Sequence, residues 1–399
     1  MTGNTRPTLL AVGSGLPSTG YGRVITSLLP AINDVFHTLH FAVDVAREPP
    51  ELPWTVEPNR LAGDRGGREQ LPGLLARHRP NVVWICHDWW VWLLNAPALR
   101  AQRPPPAVVV YSPVDASTLA PRDADGLHAL VLYTEHARRG IQNALSRTPD
   151  PPVLYVVPHG VDTAVFAPLG DHATPPAMRQ SRRMIRTRIL PDRPELADGF
   201  VVLNSNRNII RKRIDLTLAG FARLAREHED AYLILHMGLT DQGIDVLKTA
   251  YALGIADRVM TTTNGTGHPN VTDREMNEIY NAADVGVNTA TREGWGLTAT
   301  EHAAAGGALV IADLPTTREI WADTATFIPD RPDPFSGRAL DPEALAAALA
   351  RLHASSEQRW NRAIAARRRS SQPDWSWAAI AQRWTELLRS AAATSRTER

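Results

Sequence analysis

The chain is poor in the features that mark extracellular and membrane-spanning proteins. Its 399 residues include one cysteine, Cys86, so no intrachain disulfide can form and a disulfide-stapled extracellular fold is excluded. Its apolar runs are too short to cross a bilayer. Residues 1–8 show no basic segment followed by a long apolar stretch, so we expect neither a signal peptide nor stable membrane insertion. These observations predict a cytoplasmic protein.

An excess of basic charge is also missing. Lys and Arg total 43 against 42 Asp and Glu, which leaves a formal net charge of +1. Proteins that bind duplex nucleic acid neutralise phosphates with a large basic excess, so we do not expect nucleic acid as the main partner. We find no group of His, Cys and Asp with the spacing typical of metal ligands. A metal is therefore not expected.

Short apolar runs alternate with helical patterns along both halves of the chain. Such alternation predicts doubly wound α/β domains with parallel sheets, and the length is sufficient for two. The predicted strands are 8–13, 37–43, 81–87, 107–111, 129–133 and 152–157 in the first half, and 201–204, 232–236, 259–261, 285–288 and 308–312 in the second. The predicted helices are 23–32, 69–79, 135–145, 214–228, 243–253, 272–282, 297–305 and 342–353.

The alternation lapses once between the halves and ends in a helical tail. We interpret 1–168 as the first domain, 169–199 as a proline-rich linker with a short basic helix, and 200–372 as the second domain. Residues 373–399 carry an apolar stripe at helical spacing, with Trp377, Ile380 and Trp384 among its members. This stripe predicts a helix that packs back on the first domain, followed by a frayed polar end.

The most informative segment runs from residue 288 to residue 313. A predicted strand ends at Asn288, a turn carries Glu293, Gly294, Trp295 and Gly296, and a helix follows. Glycines allow a ligand to approach the backbone closely, and the N-terminus of a helix favours an anion. The carboxylates of Glu293 in the turn and Glu301 in the helix can accept hydrogen bonds from sugar or ribose hydroxyls. The segment thus has the composition of a phosphate-sugar site.

The string E-G-W-G-L-x-x-x-E-x-x-x-x-G resembles the E-x7-E signature of retaining glycosyltransferases of family 4. That family has the GT-B fold, in which two Rossmann-like domains with doubly wound parallel sheets face a cleft. The resemblance implies an N-terminal acceptor-binding domain and a C-terminal nucleotide-sugar-binding domain. It further implies that Glu301 binds the donor ribose, that Glu293 contacts the donor sugar, and that the donor also meets Gly294, Trp295, Gly296, Leu297 and Thr298. The alternative is a surface pair of glutamates beside a turn.

A second segment, N-S-N-R-N-I-I-R-K-R-I-D-L at 204–216, strengthens the resemblance. Members of the family place an Arg and a Lys here to neutralise the donor diphosphate, and Arg207 and Lys212 match this pattern, with Asn206 beside them. Fixed cations stabilise the charge that develops on the leaving diphosphate without help from a metal. The alternative is a solvated basic turn, with Arg211 and Arg213 facing water.

A third segment, G-S-G-L-P-S-T-G-Y-G-R at 13–23, resembles the glycine-rich loop of the family. The resemblance implies that Gly20 and Gly22 approach the donor phosphates and that Arg23 contacts a phosphate or the acceptor. The spacing is not that of an NTPase phosphate loop. The stretch 158–168 also resembles the family, where it leads into the second domain, and we interpret His159 as a structural turn residue.

The acceptor side is less distinct. Many members of the family carry a His after the strand at 107–111, whereas this chain has S-P-V-D, ending at Asp115. One strand earlier, His87 and Asp88 follow the carboxyl end of a strand, where either can orient an acceptor, and Asp115 can accept its proton. A buried His with a capping Asp is the alternative. Trp89 and Trp90 either stack on an acceptor or belong to the core.

The resemblance implies a retaining, metal-independent hexosyltransferase that needs no cofactor besides its donor. A UDP-sugar and a GDP-sugar fit equally well, with residues 262–270 expected to contribute to the base pocket. The helix at 23–32 is too poor in basic residues to meet a lipid surface, so a small soluble acceptor is expected, for example in bacterial natural-product biosynthesis. The alternatives are a GT-B phosphorylase or epimerase, and a non-catalytic protein that binds nucleotide-sugars.

Overall fold

The computed structural model describes residues 6–16, 19–46, 52–113, 119–267, 269–334 and 336–397, with side chains to residue 394. The chain forms two compact units. The first unit comprises Met1–Gly160 together with Pro373–Arg399, and the second comprises Val161–Gln372.

The first unit is built on one parallel sheet. Within the described ranges its seven strands lie in the order β3-β2-β1-β4-β5-β6-β7, and each neighbouring pair is parallel. The strands are β1 (Thr8–Gly13), β2 (His37–Ala42), β3 (Thr55–Pro58), β4 (Val82–Cys86), β5 (Ala107–Tyr111), β6 (Ala129–Leu132) and β7 (Val153–Val156). The helices before residue 160 are α1 (Gly20–Asn33), α2 (Leu71–His78), α3 (Trp89–Arg100) and α4 (Glu135–Ala144).

The second unit repeats this plan. Its described strands form a six-stranded sheet in the order β10-β9-β8-β11-β12-β13, and β14 pairs with β15 in a separate hairpin. The strands are β8 (Phe200–Asn204), β9 (Ala231–Leu235), β10 (Val259–Thr261), β11 (Val285–Asn288), β12 (Ala308–Ala312), β13 (Thr326–Ile328), β14 (Asp330–Asp333) and β15 (Gly337–Leu340). The helices are α5 (Pro175–Ile189), α6 (Ile214–Glu227), α7 (Val246–Ala252), α8 (Asp273–Ala282), α9 (Leu297–Ala304), α10 (Pro315–Trp321), α11 (Pro342–Ala354) and α12 (Ser356–Ser370).

The central strands are apolar along their whole length because helices cover both faces of each sheet. Every residue of β4, β5 and β8 is buried, whereas the edge strand β7 alternates between exposed and half-buried positions. The predicted doubly wound parallel sheets are therefore confirmed in both halves of the chain.

The last helix, α13 (Trp377–Thr397), belongs to the first unit. Its Trp384 is fully buried, with its ring centroid 5.0 Å from that of Trp84 on β4 and 4.8 Å from that of Tyr111 on β5. Ile380 and Leu388 on the same stripe are also fully buried. The apolar stripe of the tail thus faces the sheet of the first unit.

Several elements were not predicted from the sequence. Helix α3 is apolar nearly all round, so its sequence has little helical periodicity. The basic helix predicted within 169–199 is present as the 15-residue α5, but this stretch groups with the second unit. The other elements that the sequence pattern did not predict are β3, α10, β13, the β14–β15 hairpin and α12.

Each sheet reverses its strand order once, and this reversal places the candidate site residues. In the first sheet the reversal lies between β1 and β4, and in the second between β8 and β11. Ligands of open parallel sheets bind beyond the carboxyl ends of the strands at such a point. Among the described residues, no helix combines the length and apolarity needed to cross a membrane.

Candidate active site

A network of polar side chains surrounds Lys212 at the carboxyl ends of β8 and β11. The last residue of β8, Asn204, accepts hydrogen bonds at Oδ1 from the backbone N (3.0 Å) and from Nδ2 (2.9 Å) of Asn206. These two bonds leave Oδ1 of Asn206 to accept a hydrogen bond from Nζ of Lys212 at 2.8 Å. Lys212 is one of only two lysines in the chain. Its ammonium group is therefore held by residues that follow β8.

Glu293 completes this network from the turn after β11. Its Oε2 pairs with Nζ of Lys212 and accepts a hydrogen bond from Nδ2 of Asn288 at 3.0 Å. The side chains of Lys212 and Glu293 are only 9% and 8% exposed. Thr316 fixes the turn itself by donating from Oγ1 to the backbone carbonyl of Glu293 at 2.7 Å. The structure thus brings together Lys212 and Glu293, which lie far apart in the sequence.

The two charges determine each other's protonation. Burial alone would raise the pKa of Glu293, but the charges of Lys212 and Arg211 and the hydrogen bonds from Lys212 and Asn288 lower it to about 2. Burial lowers the pKa of Lys212, and the attraction of Glu293 offsets part of that effect. Glu293 is therefore a carboxylate at neutral pH, and it accepts hydrogen bonds only.

The helix α9 begins directly beyond this pair. Gly296, the residue that caps its N-terminus, has φ +88° and supplies no side-chain cap for the first backbone N–H groups. Gly294 lies in the turn, the Trp295 side chain is buried, and Thr298 lies 3.5 Å from Oδ1 of Asn206 through its Oγ1. Uncapped N–H groups and the helix dipole favour an anion here, beside the ammonium group of Lys212.

Glu301 occupies a different environment from Glu293. It lies on α9, is 4% exposed, and accepts a hydrogen bond at Oε2 from the hydroxyl of Tyr280 at 2.9 Å. The ring of Tyr280 is in turn stacked on that of His302, with centroids 5.3 Å apart. Tyr280 therefore positions the Glu301 carboxylate without neutralising it.

Arg207 is placed differently from Lys212. Its guanidinium group makes a bidentate pair with Asp241, with Nε–Oδ2 2.7 Å and Nη2–Oδ1 3.1 Å, and its side chain is 51% exposed. The hydrogen bond to Asp241 raises the pKa of Arg207. Its charge is thus already balanced within the second unit, whereas the charge of Lys212 is shared with Glu293.

The first unit gathers a second group of polar residues at the ends of β1 and β4. The hydroxyl of Tyr21 donates to Oδ1 of Asp88 at 2.6 Å, and its ring is stacked on that of His87, with centroids 4.7 Å apart. The backbone N of Asp88 donates to Nδ1 of His87 at 2.8 Å, so a neutral His87 carries its proton on Nε2. Burial lowers the pKa of His87, and Asp88 and Asp44 offset part of this. His87 is therefore a neutral imidazole near pH 7.

Asp44, just after β2, joins this group through the loop that follows β1. Its carboxylate accepts hydrogen bonds from Oγ of Ser14 (2.6 Å) and from the backbone N of Gly15 (2.8 Å). Gly22 has a packing role, since a Cβ there would lie 1.8 Å from the carbonyl oxygen of Leu16. This requirement accounts for glycine at position 22 without a ligand.

The remaining predicted residues are distributed as follows. Gly20 and the half-buried Arg23 lie in the first turn of α1, and Asp115 lies outside the described residues. Trp89 is buried in the core, whereas the ring of Trp90 meets that of His87 edge-on at 5.5 Å. His159 is buried and hydrogen-bonded to the hydroxyl of Tyr111 at 2.7 Å, in the structural position interpreted from the sequence.

Sequence reasoning missed several residues of these two groups, among them Asn204, Asn288, Tyr21 and Asp44. Two of them end a strand beside the reversal of strand order, Asn204 on β8 and Asn288 on β11. A polar residue that closes an otherwise apolar run is a signal available in the sequence. The strand order that makes the two neighbours is not.

Comparison with known proteins relates this geometry to glycosyltransferases. Residues 186–369 match the family model described as Glycosyl transferases group 1. This segment contains Lys212, Glu293 and Glu301, the residues that carried the resemblance in the sequence.

Two curated relatives match parts of the chain. Mannosylfructose-phosphate synthase of Agrobacterium fabrum is 30% identical over 165 residues, which is 40% of this chain and 32% of that protein. D-inositol 3-phosphate glycosyltransferase of Xylanimonas cellulosilytica is 28% identical over 229 residues, 57% of this chain and 49% of that protein. The matched region thus spans about a third and about half of the lengths of these relatives.

Solved structures match over nearly the whole chain at low identity. Sucrose-phosphate synthase from Thermosynechococcus elongatus aligns with a TM-score of 0.73 and 16% identity, covering 98% of this chain and 100% of that one. Anabaena Alr3699/HepE in complex with UDP and glucose gives a TM-score of 0.71 and 15% identity, with 96% and 100% covered. Residues 186–369 are therefore similar to group 1 glycosyl transferases, and the chain has the GT-B fold of these structures.

Proposed function

We propose that this protein is a retaining glycosyltransferase that moves a sugar from a nucleoside-diphosphate sugar to a small soluble acceptor without a catalytic metal. The observation that carries the proposal is the buried Lys212–Glu293 pair beside the uncapped N-terminus of α9. Both partners lie in the segment that matches the glycosyl transferase family.

The geometry of the second unit suits the departure of a nucleoside diphosphate. As the bond between the sugar and the diphosphate breaks, its electron pair passes to the phosphate oxygen, which gains negative charge. The ammonium group of Lys212 and the first N–H groups of α9 supply fixed positive charge for that oxygen. A cation fixed by the protein takes the part that a bound metal plays in other transferases.

The carboxylates of the same unit have distinct roles in this proposal. Glu293 remains ionised and accepts hydrogen bonds from hydroxyls of the donor sugar, while Glu301, positioned by Tyr280, accepts those of the ribose. Arg207 contacts the diphosphate only after its pair with Asp241 opens. Neither carboxylate is proposed as a nucleophile; the departing phosphate receives the acceptor's proton.

The relatives indicate which donor and acceptor classes to test first. One similar structure is Anabaena Alr3699/HepE in complex with UDP-glucose, so UDP-sugars are the first donors to test, with GDP-sugars next. Several relatives are synthases of sugar phosphates by name. A sugar phosphate therefore joins unphosphorylated small molecules as a candidate acceptor. On the first unit, Tyr21, His87 and Asp88 are the proposed acceptor contacts.

The chain's two lysines offer a matched experiment. Lys212 is buried at the site, and Lys248 is exposed on α7. With EDTA present, Lys212→Met is expected to slow sugar transfer about 10²- to 10³-fold, the loss typical of one removed electrostatic contact, whereas Lys248→Met retains wild-type turnover. Initial rates with UDP-glucose and a panel of acceptors measure both.

Controls separate the alternatives. Circular dichroism of Lys212→Met checks folding, because the substitution leaves Glu293 without its cation. Equal turnover of the two variants would contradict the proposed site. Loss of wild-type activity in EDTA, restored by a divalent metal, would contradict metal independence, and activity that requires inorganic phosphate would identify a phosphorylase.

A further inference from the structure

Three side chains with metal-binding atoms converge on the second unit, away from the site described above. They are His228, which follows α6, Asp230, which precedes β9, and His353, near the end of α11. One ligand atom from each lies within 4.8 Å of those of the other two. Nε2 of His353 is 2.8 Å from Oδ1 of Asp230, and the imidazole rings of His228 and His353 have centroids 4.2 Å apart.

This trio lies at the opposite edge of the sheet from Lys212. Asp230 immediately precedes the first residue of β9, whereas Lys212 follows the last residue of β8, and the two strands are parallel neighbours. The amino end of β9 and the carboxyl end of β8 therefore belong to opposite edges. A ligand at the trio does not reach the proposed donor site.

The backbone holds the three residues in place. The N–H of His228 donates to the carbonyl of Leu224 at 3.1 Å, which continues α6, and its own carbonyl accepts from Ala231 N at 3.2 Å. The carbonyl of Asp230 accepts from Phe200 N at 2.8 Å. The ring of Phe200 packs edge-on against that of His353, with centroids 5.2 Å apart. The ligands thus come from three fixed elements, so little ordering is needed to bring them together.

The site is open to solvent at one side. The side chain of His353 is 19% exposed and that of Asp230 is 58% exposed, so a hydrated ion has access and water can fill a fourth position. Two guanidinium groups lie nearby: Arg258 donates to the carbonyl of His228, and Arg359 donates to the carbonyl of His353. Their positive charges lower the affinity of the three residues for a cation that is attracted by charge alone.

We propose that His228, Asp230 and His353 bind a divalent transition-metal ion of the Zn²⁺ class. Two imidazoles and one carboxylate suit zinc, which takes three protein ligands and a water in tetrahedral geometry. Calcium requires six to eight oxygen ligands, and magnesium an octahedral oxygen shell, so one carboxylate does not select either. The bound ion connects α6, β9 and α11, and it stabilises the second unit because the unfolded chain lacks the arrangement.

Metal titration of the tag-free protein tests the proposal. Equilibrium dialysis against Zn²⁺ is expected to show a site whose affinity falls about 100-fold or more in His228→Ala and in His353→Ala, since even indirect partners of a ligand are worth 10- to 100-fold. His37→Ala, which removes an exposed histidine from the start of β2, is the matched control and retains the site. Co²⁺ should give the visible absorption of a tetrahedral complex in the wild type and in His37→Ala, but not in His228→Ala or His353→Ala.

Two further readouts keep the test decisive. Zn²⁺ is expected to raise the melting temperature of the wild type by about 3 °C or more. It is not expected to raise that of Asp230→Asn. This variant retains a hydrogen-bond acceptor for His353 but loses the anionic ligand. Circular dichroism confirms that each variant is folded. Absence of binding to the wild type, or unchanged binding in both His→Ala variants, would overturn the proposal. Neither result bears on sugar transfer.

Discussion

At the scale of single residues, the two glutamates of the E-x7-E string differ in their surroundings more than the sequence suggests. Glu293 is charge-paired with the buried Lys212, while Glu301 accepts a hydrogen bond from the hydroxyl of Tyr280. Substituting Glu293 removes the counter-charge of a buried cation, whereas substituting Glu301 leaves the Lys212–Glu293 pair in place. Glu301 is accordingly the better probe of donor binding.

We expect Glu301→Ala to weaken binding of UDP or the matching nucleoside diphosphate about 10- to 100-fold, because a hydrogen bond to a charged group is worth about 1.5–3 kcal/mol. Isothermal titration measures the affinity. Glu343→Ala is the control, since Glu343 lies in the first turn of α11 and pairs only with Arg223 among the contacts described for its side chain. Unchanged affinity in Glu301→Ala would contradict the assignment of Glu301 to the donor.

At the scale of elements, α5 is fastened to the second unit by a buried carboxylate. Nη1 of Arg182 lies 2.9 Å from Oδ1 of Asp284, and Nη2 of Arg186 lies 2.7 Å from Oδ2. The backbone N of Val201 on β8 donates to the same Oδ2 at 2.9 Å. Arg182 and Arg186, which the sequence placed in a basic linker, thus form buried ion pairs with Asp284.

We expect Asp284→Ala to lower the free energy of unfolding by about 3–5 kcal/mol at pH 7, because it leaves buried guanidinium groups without a counter-charge. Burial alone would raise the pKa of Asp284, but Arg186, Arg182 and Arg359 hold it well below its usual range. A depressed pKa contributes stability that is present above the ordinary carboxyl pKa and is lost as the pH falls. The difference between wild type and variant should therefore shrink below about pH 4.

Urea unfolding at a series of pH values measures this difference. Asp198→Ala is the matched control, because Asp198 also pairs with an arginine of α5, Arg183, but is 66% exposed. Equal stability of Asp284→Ala and Asp198→Ala would contradict this account of α5. So would a difference in unfolding free energy between the wild type and Asp284→Ala that grows as the pH falls.

At the scale of the whole molecule, the first unit is assembled from both ends of the chain. Residues 373–399 return to it after the second unit is complete, and Trp384 of α13 fills the space beside Trp84 and Tyr111. The core of the first unit therefore depends on a helix that the chain supplies only after the whole second unit.

We expect Trp384→Ala to cost about 3–5 kcal/mol through the cavity that it leaves. Hydrogen exchange followed by mass spectrometry should show the lost protection in α1, β4 and β5, while β8 and β11 of the second unit keep theirs. Arg383→Ala, which removes a 44% exposed side chain from the same helix, is expected to leave protection unchanged. Equal loss of protection in both units would contradict the conclusion that Trp384 stabilises the core of the first unit alone.

Sequence patterns determined the alternation of strands and helices and therefore the fold class. Those patterns arise within short windows, where a buried parallel strand must be apolar throughout and a surface helix must be apolar on one face. The same local information indicated Lys212, Glu293 and Glu301, because each lies in a short segment next to a strand end. Helix α3 was not predicted because apolar residues also occupy its exposed side, Leu93 among them, so its sequence lacks helical periodicity.

Only the tertiary structure decided which of these residues meet. Lys212 and Glu293 pair because β8 and β11 are neighbours where the strand order reverses. Arg207 instead pairs with Asp241, and His353 on α11 contacts Asp230, which precedes β9. Such contacts depend on strand order and helix packing, which are set by the burial of whole apolar faces rather than by any local pattern.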